Sequence, residues 1–154
     1  MKQESGRSMI EMLGVLAIMG VITVGAIGMI STAMKTQKLT AVNDEVMQIV
    51  TMIRNIHAEY DDFSNMNSAT IFSAIGVSDK NPYGGSYSVA VNPSNPRQFV
   101  LTIDGLGQSE CEALRVKAWS DSVGYRISDG KAGGATGDCT NANGANSVQI
   151  VYGE

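Results

Sequence analysis

From Met12 to Met34 the chain carries no charged residue, and Glu11 stands immediately before that run. As a helix rising ~1.5 Å per residue, such a stretch crosses the ~30 Å hydrocarbon core of a bilayer. A segment apolar on every side has no place in a small soluble core, so it needs lipid or other apolar helices around it. An ionised side chain inside a membrane costs roughly 2.5–3.5 kcal/mol on insertion scales, so an acid at its mouth calls for a partner. A removable secretory signal has an apolar region of about 7–15 residues. The run here is longer and Glu11 interrupts it, although Val24-Gly25-Ala26 has the small residues of a poor cleavage site. A plain anchor accounts for Met12–Met34 but leaves Gly6 and Glu11 without a purpose.

After Lys35 the pattern becomes one-sided. Val42, Val46, Ile49, Val50, Ile53, Ile56 and Tyr60 recur at steps of three and four, a stripe suited to packing on a sheet while Asp44, Glu45, Gln48 and Arg54 face away. The first proline is Pro82, so one helix of ~78 Å from about Met9 to Tyr60 is permitted. Gly14, Gly20, Gly25 and Gly28 lie in its apolar half. They suit close backbone approach between membrane helices, or a local loosening, since each costs ~1 kcal/mol relative to alanine.

The remainder reads as short elements between turns. A helix over Ser68–Ile75 ends at Gly76, and Pro82-Tyr83-Gly84-Gly85 is a turn. Ser86–Val91 and Gln98–Ile103 alternate as a hairpin around Asn92–Pro96, after which Asp104-Gly105-Leu106-Gly107 breaks the strand. Ser109 and Glu112 form a capping box for a helix over about Glu110–Ala118. Strands follow at Val123–Ile127 and Val148–Tyr152, separated by a glycine- and asparagine-rich loop over Asp129–Asn146. The class is α+β, a long helix, membrane-spanning first and amphipathic after, on a small antiparallel sheet.

The net charge of −4 supplies no basic patch for a phosphate backbone, so nucleic acid is not an expected partner. His57 is the sole histidine, beside Glu59, Asp61 and Asp62, and reads as a packed helix-flank residue rather than a catalytic one. No nucleophile elbow, phosphate loop or zinc spacing accompanies it, so the expectation is no enzyme and no cofactor. Asp61, Asp62 and Asp79 do not have EF-hand spacing, and no metal site is expected. Trp119, near Leu114 and Ala118, reads as a packing residue. Cys111 and Cys139 lie downstream of a segment that would export them, which favours a disulfide over a metal site, with two free thiols the alternative.

Gly6, Arg7, Glu11 and the apolar run fall in a register that resembles type IV prepilins. Ile18-Met19-Gly20-Val21-Ile22-Thr23, the segment Phe99–Leu106, a helix bearing Cys111 and a second cysteine before a terminal strand are similar to the type IVb branch. The chain departs from the pattern in its short leader, in Arg7 where the family has Phe, Met or Leu, and in lacking a proline near Gly28. The resemblance implies a pilin fold with a Cys111–Cys139 bridge. It also implies a leader over residues 1–6, a membrane and filament-core helix over 7–34 and a globular domain over 35–154. A prepilin peptidase would cut after Gly6 and methylate the amine of Arg7. The new ammonium would lie ~6 Å along the helix from Glu11, so a staggered neighbour's terminus can meet that acid in a low dielectric. Glu11 would then direct assembly. The implied function is a structural subunit that leaves the bacterial inner membrane, with the help of pilus assembly machinery, to join a helical homopolymer at the cell surface. The filament would serve adhesion, aggregation or conjugation through a surface receptor that the residues do not name. A minor pilin, a type II secretion pseudopilin and a monomeric membrane-anchored binding domain are the alternatives.

Overall fold

The computed structural model describes residues 9–128, 138–140 and 144–153. Seven elements follow in order: α1 (Met9–Ile56), α2 (Ser68–Ile75), β1 (Tyr87–Asn92), β2 (Asn95–Leu106), α3 (Gln108–Arg115), β3 (Ser122–Ser128) and β4 (Asn146–Gly153). The chain divides into two units, Met1–Gln37 and Lys38–Glu154. Within the described part of the first there is only helix, and every residue of it is exposed.

In the second unit the strands form one antiparallel sheet in the order β1-β2-β4-β3. The α+β class and the small sheet agree with the sequence reading. Val42, Val46, Ile49, Val50 and Ile53 from α1 join Phe99, Leu101 and Ile103 of β2 and Val148, Ile150 and Tyr152 of β4 in one buried cluster. Burying an aliphatic side chain of this size contributes about 1.5–3 kcal/mol, so this stripe dominates the unit's stability. Ile56 and Tyr60, expected to continue the stripe, are exposed. The helix stops at Ile56 because the next turn tightens, with Tyr60 N–H donating to His57 O at 3.0 Å. Phe63 N–H then donates to Pro96 O at 2.8 Å, tying the chain to β2 instead.

Two polar positions of α1 expected to face away have partners. Tyr87 Oη donates to the Glu45 carboxylate at 2.5 Å, and Arg54 pairs with Asp121 at 3.3 Å. Burial, and then the bond to Glu45, raise the Tyr87 pKa above that of an ordinary phenol.

Helix α2 lies where the sequence puts it. Asn67 Oδ1 caps it by accepting from Ala69 N–H at 3.0 Å, and Gly76 closes it at φ 65 with its N–H on Phe72 O. Helix α3 begins two residues earlier than expected. Gly107 is its N-cap with no side-chain cap bond, Ser109 lies inside the first turn, and the helix ends at Arg115. The cause lies just upstream. Asp104-Gly105 does not break β2 but forms a bulge between Ile103 and Leu106, so Leu106 stays buried in the strand. Beyond Arg115 the chain turns so that Trp119 is buried and its Nε1–H reaches Leu114 O at 3.3 Å. Asn146, expected in a loop, opens β4, is fully buried and donates to Leu106 O at 3.1 Å.

The bulge is held by Asn81. Its Oδ1 accepts from Tyr83 N–H and Gly85 N–H at 3.0 and 3.1 Å, and its Nδ2 donates to Asp104 O at 2.8 Å. Asp104 in turn accepts from Ser86 N–H at 2.5 Å and from the Ser86 hydroxyl. The turn before β1 and the bulge in β2 are therefore one structure, in which Gly85 and Gly105 backbones touch. A disulfide joins Cys111 of α3 to Cys139, with Cα atoms 5.8 Å apart and both residues buried. Closing a loop of 28 residues is worth about 3.5 kcal/mol on the chain-entropy model. Arg115 adds an ion pair to Asp138 at 3.2 Å beside it.

Two expectations follow from this packing. At Gly105 φ is +70 and an added Cβ would lie 2.5 Å from Gly85 Cα. Gly105→Ala should therefore cost roughly 2–4 kcal/mol of unfolding free energy, measured by urea denaturation of the detergent-solubilised chain with Trp119 fluorescence. Gly124→Ala, where a Cβ meets nothing within 4 Å, is the matched control and should change stability by less than ~0.5 kcal/mol. The second expectation concerns Tyr152, whose buried hydroxyl has no hydrogen-bond partner among the described residues. Burial pushes its pKa up to about 12, the Arg54 charge lowering it and Asp121 raising it by smaller amounts. An unfolded phenol ionises near ~10, so between ~10 and ~12 the folded state holds more protons and stability falls as pH rises. Tyr152→Phe should make that alkaline loss shallower while leaving neutral-pH stability equal or higher.

Candidate functional site

The apolar half of α1 is the feature for which the chain supplies no cover. Ile10 is 78 % exposed and Val21 76 %, and none of the residues in the membrane-length window is buried. By length and composition this helix can cross a membrane. Its polar groups are kept inside it: Thr23 donates to Met19 O at 2.8 Å, Thr32 to Gly28 O at 3.2 Å and Thr36 to Thr32 O at 3.1 Å. A hydroxyl so engaged has less need of water, which suits an apolar surround.

Glu11 sits in the first turn of α1, where a carboxylate is favoured by the helix dipole. It is exposed and makes no hydrogen bond or ion pair among the described residues. Gly6 and Arg7, the expected cleavage and methylation positions, lie outside the described residues. The glycines of this segment are not needed for packing within the chain. A Cβ added at Gly14, Gly20, Gly25 or Gly28 meets nothing within 4 Å. Gly25, Gly28, Met29, Thr32, Ala33 and Thr36 line an open groove of about 570 Å³ that offers backbone-close contact to another helix.

The other residues singled out from the sequence occupy ordinary positions. The Nδ1 of His57 lies 3.1 Å from Ile53 O, and its ring packs 5.2 Å from Phe63 and 5.7 Å from Tyr60. Asp62 accepts from Ser64 N–H at 3.0 Å and Asp79 lies 4.0 Å from Lys80 Nζ. Among the described residues no three His, Cys, Asp or Glu side chains come together as a metal site would require. Lys117 Nζ stands 5.5 Å over the buried Trp119 ring.

One arrangement has no signal in the sequence. Arg54, Tyr60, Asp61, Phe63, Arg97 and Asp121 are brought to one open cleft of about 900 Å³. Arg54 and Asp121 are 67 residues apart, and neither stands in any recognisable spacing with Arg97.

No profile of a known protein family matches the chain. It is 29 % identical over 126 residues to the toxin coregulated pilin of Vibrio cholerae serotype O1 (strain ATCC 39315 / El Tor Inaba N16961), covering 72 % of this chain and 56 % of that protein. A second Vibrio cholerae toxin coregulated pilin is 26 % identical over 147 residues, 86 % of this chain and 64 % of the relative. The major structural subunit of the bundle-forming pilus of Escherichia coli O127:H6 is 25 % identical over 138 residues, 82 % of this chain and 72 % of its own length. The chain thus spans between 56 % and 64 % of the length of the two toxin coregulated pilins. With an exposed apolar N-terminal helix, a small antiparallel sheet and a C-terminal disulfide, this chain is similar over most of its length to the subunits of type IVb pili.

Proposed function

We propose that the chain is a structural subunit of a type IV pilus, polymerising through the apolar half of α1. The observation that carries this reading is that helix: it is exposed along its whole apolar length and carries a single acid at its start. Burying such a surface is favourable at about 25 cal/mol per Å², and only lipid or identical helices offer a match of that length. The relatives supply the second line of support, since both the toxin coregulated pilins and the bundle-forming pilus protein are pilus subunits by name.

In this reading residues 1–6 are a leader removed by a prepilin peptidase after Gly6, and the methylated amine of Arg7 becomes the terminus. Residues 7–34 hold the subunit in the inner membrane and then form the filament core, and residues 35–154 form its exterior. Glu11 pairs with the terminal ammonium of a neighbouring copy. The pilus assembly machinery moves the subunit between these two apolar surrounds, and the task of the filament is adhesion, aggregation or conjugation. A structural role of this kind requires no catalytic group and no cofactor.

The test is made on sheared surface material from cells expressing the chain. Thin fibres composed of it are expected by negative-stain microscopy, with an intact mass lacking residues 1–6. Stranding one member of a desolvated ion pair costs about 3–5 kcal/mol, so Glu11→Ala should lower fibre yield by about a hundredfold or more at unchanged membrane level. Unchanged yield would remove Glu11 from assembly, and fibres that retain residues 1–6 would overturn the processing.

A further inference from the structure

The geometry points to a carbohydrate-binding cleft on the globular unit, formed by Arg54, Tyr60, Asp61, Phe63, Arg97 and Asp121 and suited to a neutral sugar presenting vicinal hydroxyls. All six belong to the unit Lys38–Glu154, so the inference stands whether or not the chain polymerises.

Size comes first. The cleft holds about 900 Å³ and is open to solvent, which falls in the ~300–1,000 Å³ range of small-ligand sites and leaves room for a sugar joined to a longer chain. Next is the aromatic wall. Tyr60 is 63 % exposed, an unusual setting for a large ring, and its one described ring contact is with His57 at 5.7 Å. Phe63 beside it is half-buried and fixed: its ring meets Phe99 edge-on at 4.9 Å, Phe99 stacks on Tyr152 at 5.5 Å, and the Phe63 N–H is bonded to Pro96 O. Ring faces carry negative charge density and attract the weakly positive C–H bonds on one side of a pyranose, so a ring held in place is a prepared platform.

The charged groups then set the ligand class. Arginine only donates and aspartate only accepts, and a pair of neighbouring hydroxyls needs both at once. Arg54 and Asp121 are already bound to each other, through Nη1 to Oδ2 at 3.3 Å and Nη2 to the Asp121 carbonyl at 3.5 Å, which uses two of five guanidinium donors. Arg97 and Asp61 are exposed, and their side chains make no hydrogen bond or ion pair among the described residues. Among the described lining residues two cations stand against two carboxylates, a balance that disfavours a phosphate or another compact anion. Such a mixed rim instead offers one strong donor and one strong acceptor on either side of the rings.

The test uses the full isotope-labelled chain in a detergent without a sugar headgroup. Methyl β-galactoside, methyl α-glucoside and methyl α-mannoside are titrated separately, with sodium acetate as the anionic comparison. Saturable shifts of the Tyr60, Asp61, Phe63 and Arg97 amides are expected with at least one glycoside, at an affinity on the order of 1 mM. Tyr60→Ala, Asp61→Ala and Arg97→Ala, all rim changes at exposed side chains, should each weaken that binding by about tenfold or more. The Trp119 signals should stay unchanged and report an intact fold. No saturable shift with any of the glycosides would overturn the proposal, as would equal binding by the variants. Acetate shifting the same amides where the glycosides do not would make the cleft an anion site instead.

Discussion

A long helix whose apolar surface its own chain cannot cover is the constraint on which the rest depends. Every described residue up to Gln37 is exposed, and the helix runs on without proline into the segment that carries the core stripe. The hydrophobic effect acts on both parts with opposite results. From Val42 to Ile53 it is satisfied within the chain, by the sheet. From Met9 to Met34 it is satisfied only by something outside the chain, which is why a bilayer and a bundle of identical helices are interchangeable surrounds for it. Along that surface a Cβ added at Gly14, Gly20, Gly25 or Gly28 meets nothing within 4 Å among the described residues, so the backbone there is open to close approach.

The globular unit resolves a different difficulty. A four-stranded sheet with one partial helix on it is a small core, and two devices reinforce it. One is the disulfide, which holds the segment around Cys139 to α3. The other is Asn81, a buried amide whose nitrogen donates to the Asp104 carbonyl in the bulge of β2 while its oxygen accepts from the Tyr83 and Gly85 N–H groups of the turn before β1. A bulge at this point has a clear use. Were the same residues paired without a bulge after Ile103, strict alternation would turn Leu106 toward solvent.

What was legible in the residues was what depends on period and local chemistry. The stripe Val42–Ile53, the stop of α2 at Gly76 and the alternation of β1 and β2 all act over a few positions, and the sequence states them directly. What escaped depends on contacts between distant segments. The residues Asp104-Gly105 have the composition of a strand end, and only the partner turn at Asn81–Gly85 makes them a bulge. That displacement in turn moved the start of α3 ahead of Ser109. Asn146 looked like loop because asparagine favours turns, yet its amide meets the Leu106 carbonyl 40 residues away. Gly6 and Arg7, the proposed processing positions, are the reverse case, readable only as a register in the sequence. The cleft was illegible for the same reason as the bulge: Arg54, Phe63, Arg97 and Asp121 come from four separate stretches that the sheet and its connections gather.

That origin also separates the cleft from the forces that hold the unit together. Of the six residues, only Phe63 packs against the buried cluster, while Tyr60, Asp61 and Arg97 are exposed and Arg54 and Asp121 form a pair at the surface. Ion pairs with side chains this accessible contribute at most about 1 kcal/mol, so the rim adds little to stability. The apolar helix is constrained along its whole length by what must surround it. The cleft is constrained only by the position of Phe63, which the backbone bond to Pro96 and the edge-on contact with Phe99 fix. A chain built this way can change the residues of its rim without disturbing either its core or the apolar surface of α1.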